Sequence, residues 1–212
     1  MRFPKAHSGL KKIFVSELLQ IFGGVLAVTA ATLVAISLEP LQIAGGSVAL
    51  AASIIAIVAF VLQMVGLFQA NKDAGQFMIA FWIVVIAIVA DVLVPVLNKW
   101  VPGSGPVASA IGVIAGASAI LALLFTIFGI MNLADSLGDK SMKEAGRKLA
   151  FFVVILYAIS ILFKLFPSFF NDPNNILSII FSILAIAAAI AELIAYILTL
   201  VYYARAIKMT NK

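Results

Sequence analysis

The chain has 212 residues, of which 64% are hydrophobic and only 11% charged, and a mean hydropathy of +1.20, whereas soluble globular domains carry about 25% charged residues. Most of it must be solvated by lipid, and its net charge of +5 implies no nucleic acid, because no soluble basic module is present to carry that charge. The absence of cysteine and the single histidine, His7, exclude a disulfide framework, a thiolate site and a histidine cluster, so neither metal nor cofactor is expected.

Met1 to Glu17 is basic and amphipathic, setting Arg2, Lys5, Lys11 and Lys12 against Phe3, Leu10, Ile13, Phe14 and Val15, and reads as an interfacial lead-in (1–17) to the first membrane helix. A cleavable signal peptide shares this pattern. The apolar run from Leu18 to Leu38, about 21 residues, is long for a signal core and suits a spanning helix, so retention is expected. Five more spans follow: Ser47 to Gln69, Phe77 to Leu97, Val107 to Leu133, Leu149 to Phe170 and Ile176 to Arg205. Each is near or above the ~20 residues that cross ~30 Å of hydrocarbon. Turn formers separate them: Glu39, Pro40, Gly45 and Gly46; Asn71 to Asp73; Pro102 to Pro106; Asp135 to Arg147; and Asn171 to Asn175. The expected fold class is all-α, a polytopic membrane bundle of six transmembrane helices forming a single domain over 1–212.

Charge placement orients the spans. Of the 14 Lys and Arg residues, 12 fall on the side of the termini, leaving Lys99 and Lys164 on the other. That asymmetry puts both termini in the cytoplasm of a plasma-membrane protein and requires an even number of spans. Trp82, Trp100, Tyr202 and Tyr203 fall close to the expected interfaces.

A repeat runs through the spans. Ser8-Gly9, Ala74-Gly75 and Ala145-Gly146 precede the odd-numbered helices, and Lys72-Asp73-Ala74-Gly75 nearly matches Lys143-Glu144-Ala145-Gly146. Val15, Phe81 and Phe152 then fall at one offset. In the even-numbered helices Ala59, Ala122 and Ala195 align, as do Gln63, Thr126 and Thr199, then Gln69, Asn132 and Arg205. The expectation is three tandem helical hairpins, approximately 9–70, 75–134 and 146–208, inserted the same way up. This plan resembles that of mitochondrial carriers, but their Pro-x-Asp/Glu-x-x-Lys/Arg signature is absent from the odd helices, and no kinship follows.

Glu192 stands near the middle of the last span, where a carboxylate costs about 2.5–3.5 kcal/mol on insertion scales, so it needs a partner or a task. It shares a helix stripe with Ser178, Ser182, Ala185, Ala189, Tyr196, Thr199 and Tyr203. Asp91 lies somewhat past the midplane of the third span, one turn before Pro95, where a kink could admit water. Two desolvated carboxylates could bind a cation or exchange a proton; the plainer reading is that each is protonated, or satisfied by hydroxyls or trapped water. Neither is matched in the repeat: Glu192 overlays Ala119 and Ala56, and Asp91 overlays Leu162. Gln63, Thr126 and Thr199, at equivalent depth, would form a polar ring around a central axis, or interhelical hydrogen bonds worth ~1 kcal/mol each. Lys164 can snorkel to the headgroups or pair with Asp172 or Asp91. Gly112 and Gly116, with Ala108, form a small-residue face suited to close helix packing. Asp135 to Lys148 reads as a short, mixed-charge helix outside the membrane.

No phosphate-cradling glycine loop, no HExxH, no Ser-His or Cys-His pair and no Gly-x-Gly-Asp motif occurs, so no enzyme is expected. Two functions fit. The first is a small-solute or ion permease or channel, with Glu192 and Asp91 as buried acids and Gln63, Thr126, Thr199 and Tyr196 as polar contacts along the path. The second is a non-transporting scaffold or partner subunit, docking copies of itself or another membrane protein through helix faces or the 135–148 segment.

Overall fold

The computed structural model describes residues 3–36, 39–101, 103, 105–165 and 176–211, without the side chains of 106, 109, 160–165, 176–182 and 185. Six helices follow in order: α1 (Pro4–Ala35), α2 (Glu39–Ala70), α3 (Gln76–Trp100), α4 (Gly105–Ser136), α5 (Lys140–Leu165) and α6 (Ile176–Thr210). Among the described residues five are long and apolar enough to cross a membrane, in α1, α2, α3, α4 and α6. The expected crossing at 149–170 runs past Leu165, outside the described residues. The chain is an all-helical membrane protein.

α1 shows how distant residues complete a local element. Pro4 opens the helix, where its missing N–H is no loss, but Phe3 provides no side-chain cap. The cap comes from the α2–α3 turn instead, where Asp73 Oδ2 accepts the Ala6 N–H at 2.6 Å, a carboxylate on the positive end of a helix dipole. Asp73→Ala is therefore expected to lower stability by about 1 kcal/mol, read as a fall in thermal midpoint in detergent. An unchanged midpoint would mean that water serves this helix end equally well.

The α4–α5 junction is tight. Gly138 takes φ +72 beyond the end of α4, and Asp139 caps α5 by accepting the Met142 N–H at 3.0 Å. Lys143 reaches back to Asp135 at 2.8 Å, and Lys148 pairs with Glu144 at 3.0 Å. The Lys148 ammonium holds the exposed Glu144 carboxyl below the usual carboxylate range, with Arg147 adding a smaller pull in the same direction. The mixed-charge stretch is thus not a separate helix. It is the end of α4, a glycine turn and the first turns of α5, because Asp139 starts a helix that continues unbroken into the apolar run.

α1 packs mainly along α2, and α3 mainly along α4; α5 divides its packing between α4 and α6, and α6 also touches α1. Both termini lie at one end of the bundle, since His7 Nδ1 is 3.0 Å from the Ile207 carbonyl oxygen and 3.1 Å from Thr210 Oγ1. The large buried side chains collect at this end, with Leu10, Ile13, Leu67, Phe77, Ile130 and Tyr203 among them. Farther along, the buried positions are small: Gly23, Ala30, Gly45, Ala52, Ala90 and Ala115. Small residues let two helices approach but leave space where several meet.

Two expectations change here. Within the segment read as a lead-in, 1–17, the residues from Pro4 onward are the first turns of one continuous α1, with Ala6, His7, Leu10, Ile13, Ser16 and Glu17 buried in the bundle. The close glycine crossing also lies elsewhere than expected. Gly112 and Gly116 would meet nothing within 4 Å if given a Cβ, whereas a Cβ on Gly9 would stand 2.5 Å from the Gly66 carbonyl oxygen. Small residues permit close packing, but the partner helix decides which of them are used.

Candidate functional site: a cavity with a buried carboxylate

All six helices line a cavity of ≈1300 Å³ that begins where the large-residue core stops. Its walls on α1 and α2 are rich in alanine and glycine, including Gly24, Ala27, Ala31, Ala49 and Ala56, with Val34, Ser53, Ile57 and Phe60 among them. At the end nearer the termini the lining turns polar: Glu17, Gln20, Gln63, Thr126, Tyr157 and Tyr196. A small-residue stripe on each of two packed helices leaves a void, and the residues at its floor supply the chemistry.

Glu17 anchors the floor. It is 8% exposed, and its Oε2 accepts the Tyr196 hydroxyl at 2.7 Å; the same hydroxyl is 3.1 Å from the Glu17 carbonyl oxygen. About 20 Å of helix separates it from the start of α1. Beside it Gln20 Nε2 donates to Gln63 Oε1 at 3.3 Å, joining α1 to α2 across the floor. A carboxylate in an apolar setting is tolerated only with such hydrogen-bonding company, or with a proton or cation of its own.

The residues singled out in the sequence divide between cavity and packing. Gln63, Thr126, Tyr196 and Asp91 all line the cavity. Asp91 is exposed on the α3 wall, and Pro95 lies inside the same helix four residues on. Proline has no N–H, so the Asp91 carbonyl loses its helical donor and offers a second oxygen beside the carboxylate. Glu192 is half-buried near the middle of α6, one turn from Tyr196, and is not part of the lining. Thr199 is 2% exposed, donates to the Ala195 carbonyl at 2.9 Å and also lies off the cavity. Thr126 donates in the same way to Ala122 at 2.8 Å but borders the space. The polar ring expected from Gln63, Thr126 and Thr199 is therefore open on the α6 side, where Tyr196 and Tyr203 stand instead. The readings placed on Lys164, Asp172, Ser178, Ser182 and Ala185 fall outside the described residues and side chains.

Comparisons with protein-family models, curated proteins and solved structures find no match. What the site can do must be argued from its own residues. Sequence reasoning passed over Glu17 because the basic run before it drew the whole segment out of the membrane. A signal was nonetheless present: Ile13, Glu17, Gln20, Gly24, Ala27 and Ala31 follow at steps of three and four, one polar-to-small stripe along a single helix face.

Proposed function

We propose that this protein is a small-solute or ion permease of the plasma membrane, and that the cavity above Glu17 is its binding site. The observation that carries this reading is a buried carboxylate, held by Tyr196, at the polar floor of a cavity of ≈1300 Å³ within membrane-spanning helices. Ionisable groups at such depth mark ion and solute paths. Glu17 takes the principal role that the sequence had assigned to Glu192, with Asp91 as a second acid on the wall and Gln20, Gln63, Thr126 and Tyr196 as polar contacts. No enzymatic chemistry is assigned to it.

The proposed framework is six spans in three tandem helical pairs, both termini cytoplasmic. Equivalent positions in its alignment support it. Leu67, Ile130 and Tyr203 are all buried, as are Ala70, Leu133 and Ala206, and Ala59, Ala122 and Ala195. The crossing residue on each even helix meets a partner of complementary size: Gly66 meets Gly9 and Ile13, Gly129 meets the Phe77 ring, and Tyr202 fits over Gly146.

The test is electrogenic flux in proteoliposomes, with sodium, potassium, ammonium, choline and ethidium as probes. At least one cation should produce a current above that of empty vesicles. Glu17→Gln should reduce it by about tenfold or more, as expected for removal of the acid on the path, whereas Glu192→Gln should leave most of it. Folded protein that carries no probe would favour the second reading, a scaffold or partner subunit. One feature supports that alternative: the Gly112 and Gly116 face is open, with room for another helix.

A further inference from the structure

The lining of the cavity has one sign of charge. Among its described residues are two carboxylates, Glu17 and Asp91, and no lysine, arginine or histidine. The basic residues that give the chain its positive charge gather toward the helix ends, as Lys5, Lys11, Lys12, Lys143 and Lys148 do. A pocket among apolar helices whose only acid-base side chains of formal charge are carboxyls favours a cation and disfavours an anion of the same size.

The rest of the lining says which cation. A bare metal ion needs about six oxygens in its shell to replace its water. Among the described residues no three His, Cys, Asp or Glu side chains converge, and the Gln20 and Gln63 amides bond to each other. An organic cation has no such need, since its charge is spread over carbon and its hydration is weak. It requires apolar walls, which the alanine and glycine stripes provide, and aromatic faces near the charge. Phe60, Tyr157, Tyr196 and Tyr203 line the same space as Glu17. The volume, ≈1300 Å³, exceeds the roughly 300–1,000 Å³ of drug-sized sites, so a bulky ligand fits.

We infer that the cavity binds lipophilic organic monocations, with the charge near Glu17 and the apolar body against the walls of α1 and α2. This inference rests on the solute-binding reading above and narrows its substrate class. The test uses two ions of nearly identical shape and opposite charge, tetraphenylphosphonium and tetraphenylborate, binding to the full chain in nanodiscs of zwitterionic lipid. Empty discs are subtracted to remove partition into the bilayer. Tetraphenylphosphonium should bind saturably and at least about tenfold more tightly than tetraphenylborate, the size of discrimination one unfavourable charge contact gives. Glu17→Gln should weaken the phosphonium by a similar factor without strengthening discrimination. If that variant does not fold, Asp91→Asn, on the exposed wall, should still weaken binding. Equal affinity for the two ions, no saturable phosphonium binding, or affinity unchanged in both variants would overturn the inference. Binding without flux would defeat the permease and leave the ligand class standing, while flux of an inorganic ion without phosphonium binding would defeat the ligand class alone.

Discussion

Gly9→Val is expected to destabilise the protein by about 3 kcal/mol or more, at the upper end of overpacking costs, and to separate α1 from α2 at the end bearing the termini. A Cβ on Gly9 would lie 2.5 Å from the Gly66 carbonyl oxygen, 2.7 Å from the Ala70 amide nitrogen and 2.9 Å from the Ala70 Cβ. Two of these atoms are backbone and cannot swing aside as a side-chain end could. The reverse contact is nearly as close, since a Cβ on Gly66 would stand 2.8 Å from the Gly9 carbonyl oxygen. The helices must therefore move apart, and that displacement disturbs contacts on either side of the crossing. Leu10, Ile13 and Leu67 would loosen, as would the bonds from Ser8 and Lys12 to Gln69 at 3.2 and 2.8 Å. Gly46→Val is the matched control, because a Cβ there meets nothing within 4 Å. Its effect should stay within about 0.5 kcal/mol. Thermal unfolding of both variants in one detergent decides the matter, and equal tolerance would refute the close crossing.

Much of this fold could be read from the residues, for a physical reason. A helix that must cross lipid needs about 20 apolar residues, and breakers between such runs reveal its ends, so all six helices were visible as six apolar segments. Their lengths were less so. α1, α2 and α4 have 32 residues each and α6 has 35, well beyond a bilayer's thickness: α1 and α6 lengthen at the end bearing the termini, and α2 at the opposite end, from Glu39. The 1–17 segment is the clearest case. A basic amphipathic stretch has the same composition whether it lies on a membrane surface or extends a spanning helix, and only neighbours such as Asp73 and Gln69 distinguish the two.

The site was half legible. Four of the six residues proposed for it, Asp91, Gln63, Thr126 and Tyr196, line one cavity, because polar side chains at intermediate depth in lipid-spanning helices are driven inward. Glu192 was chosen for its depth, but depth does not specify azimuth: Tyr196, one turn along, borders the space and Glu192 does not. Ala56 and Ala119, the positions that Glu192 overlays in the repeat, do line it. Glu17 was missed because its carboxylate is buried by Tyr196 of α6, 179 positions away in the chain, a pairing that no local pattern announces.

The central claim is that water and solute reach this cavity, and the chain's lack of cysteine makes the claim directly measurable. Single cysteines at Ala56 and Ala119 would line the space, while one at Ile54, 54% exposed on the outer surface of α2, would face lipid. Only a thiolate reacts with a thiosulfonate, and a thiol in hydrocarbon does not ionise, so reaction rate reports local water. With a charged, membrane-impermeant thiosulfonate and the protein in liposomes, cysteines at 56 and 119 should react at least about tenfold faster than that at 54. Rates at 56 and 119 as slow as at 54 would mean that lipid or another chain fills the space, and would contradict the account.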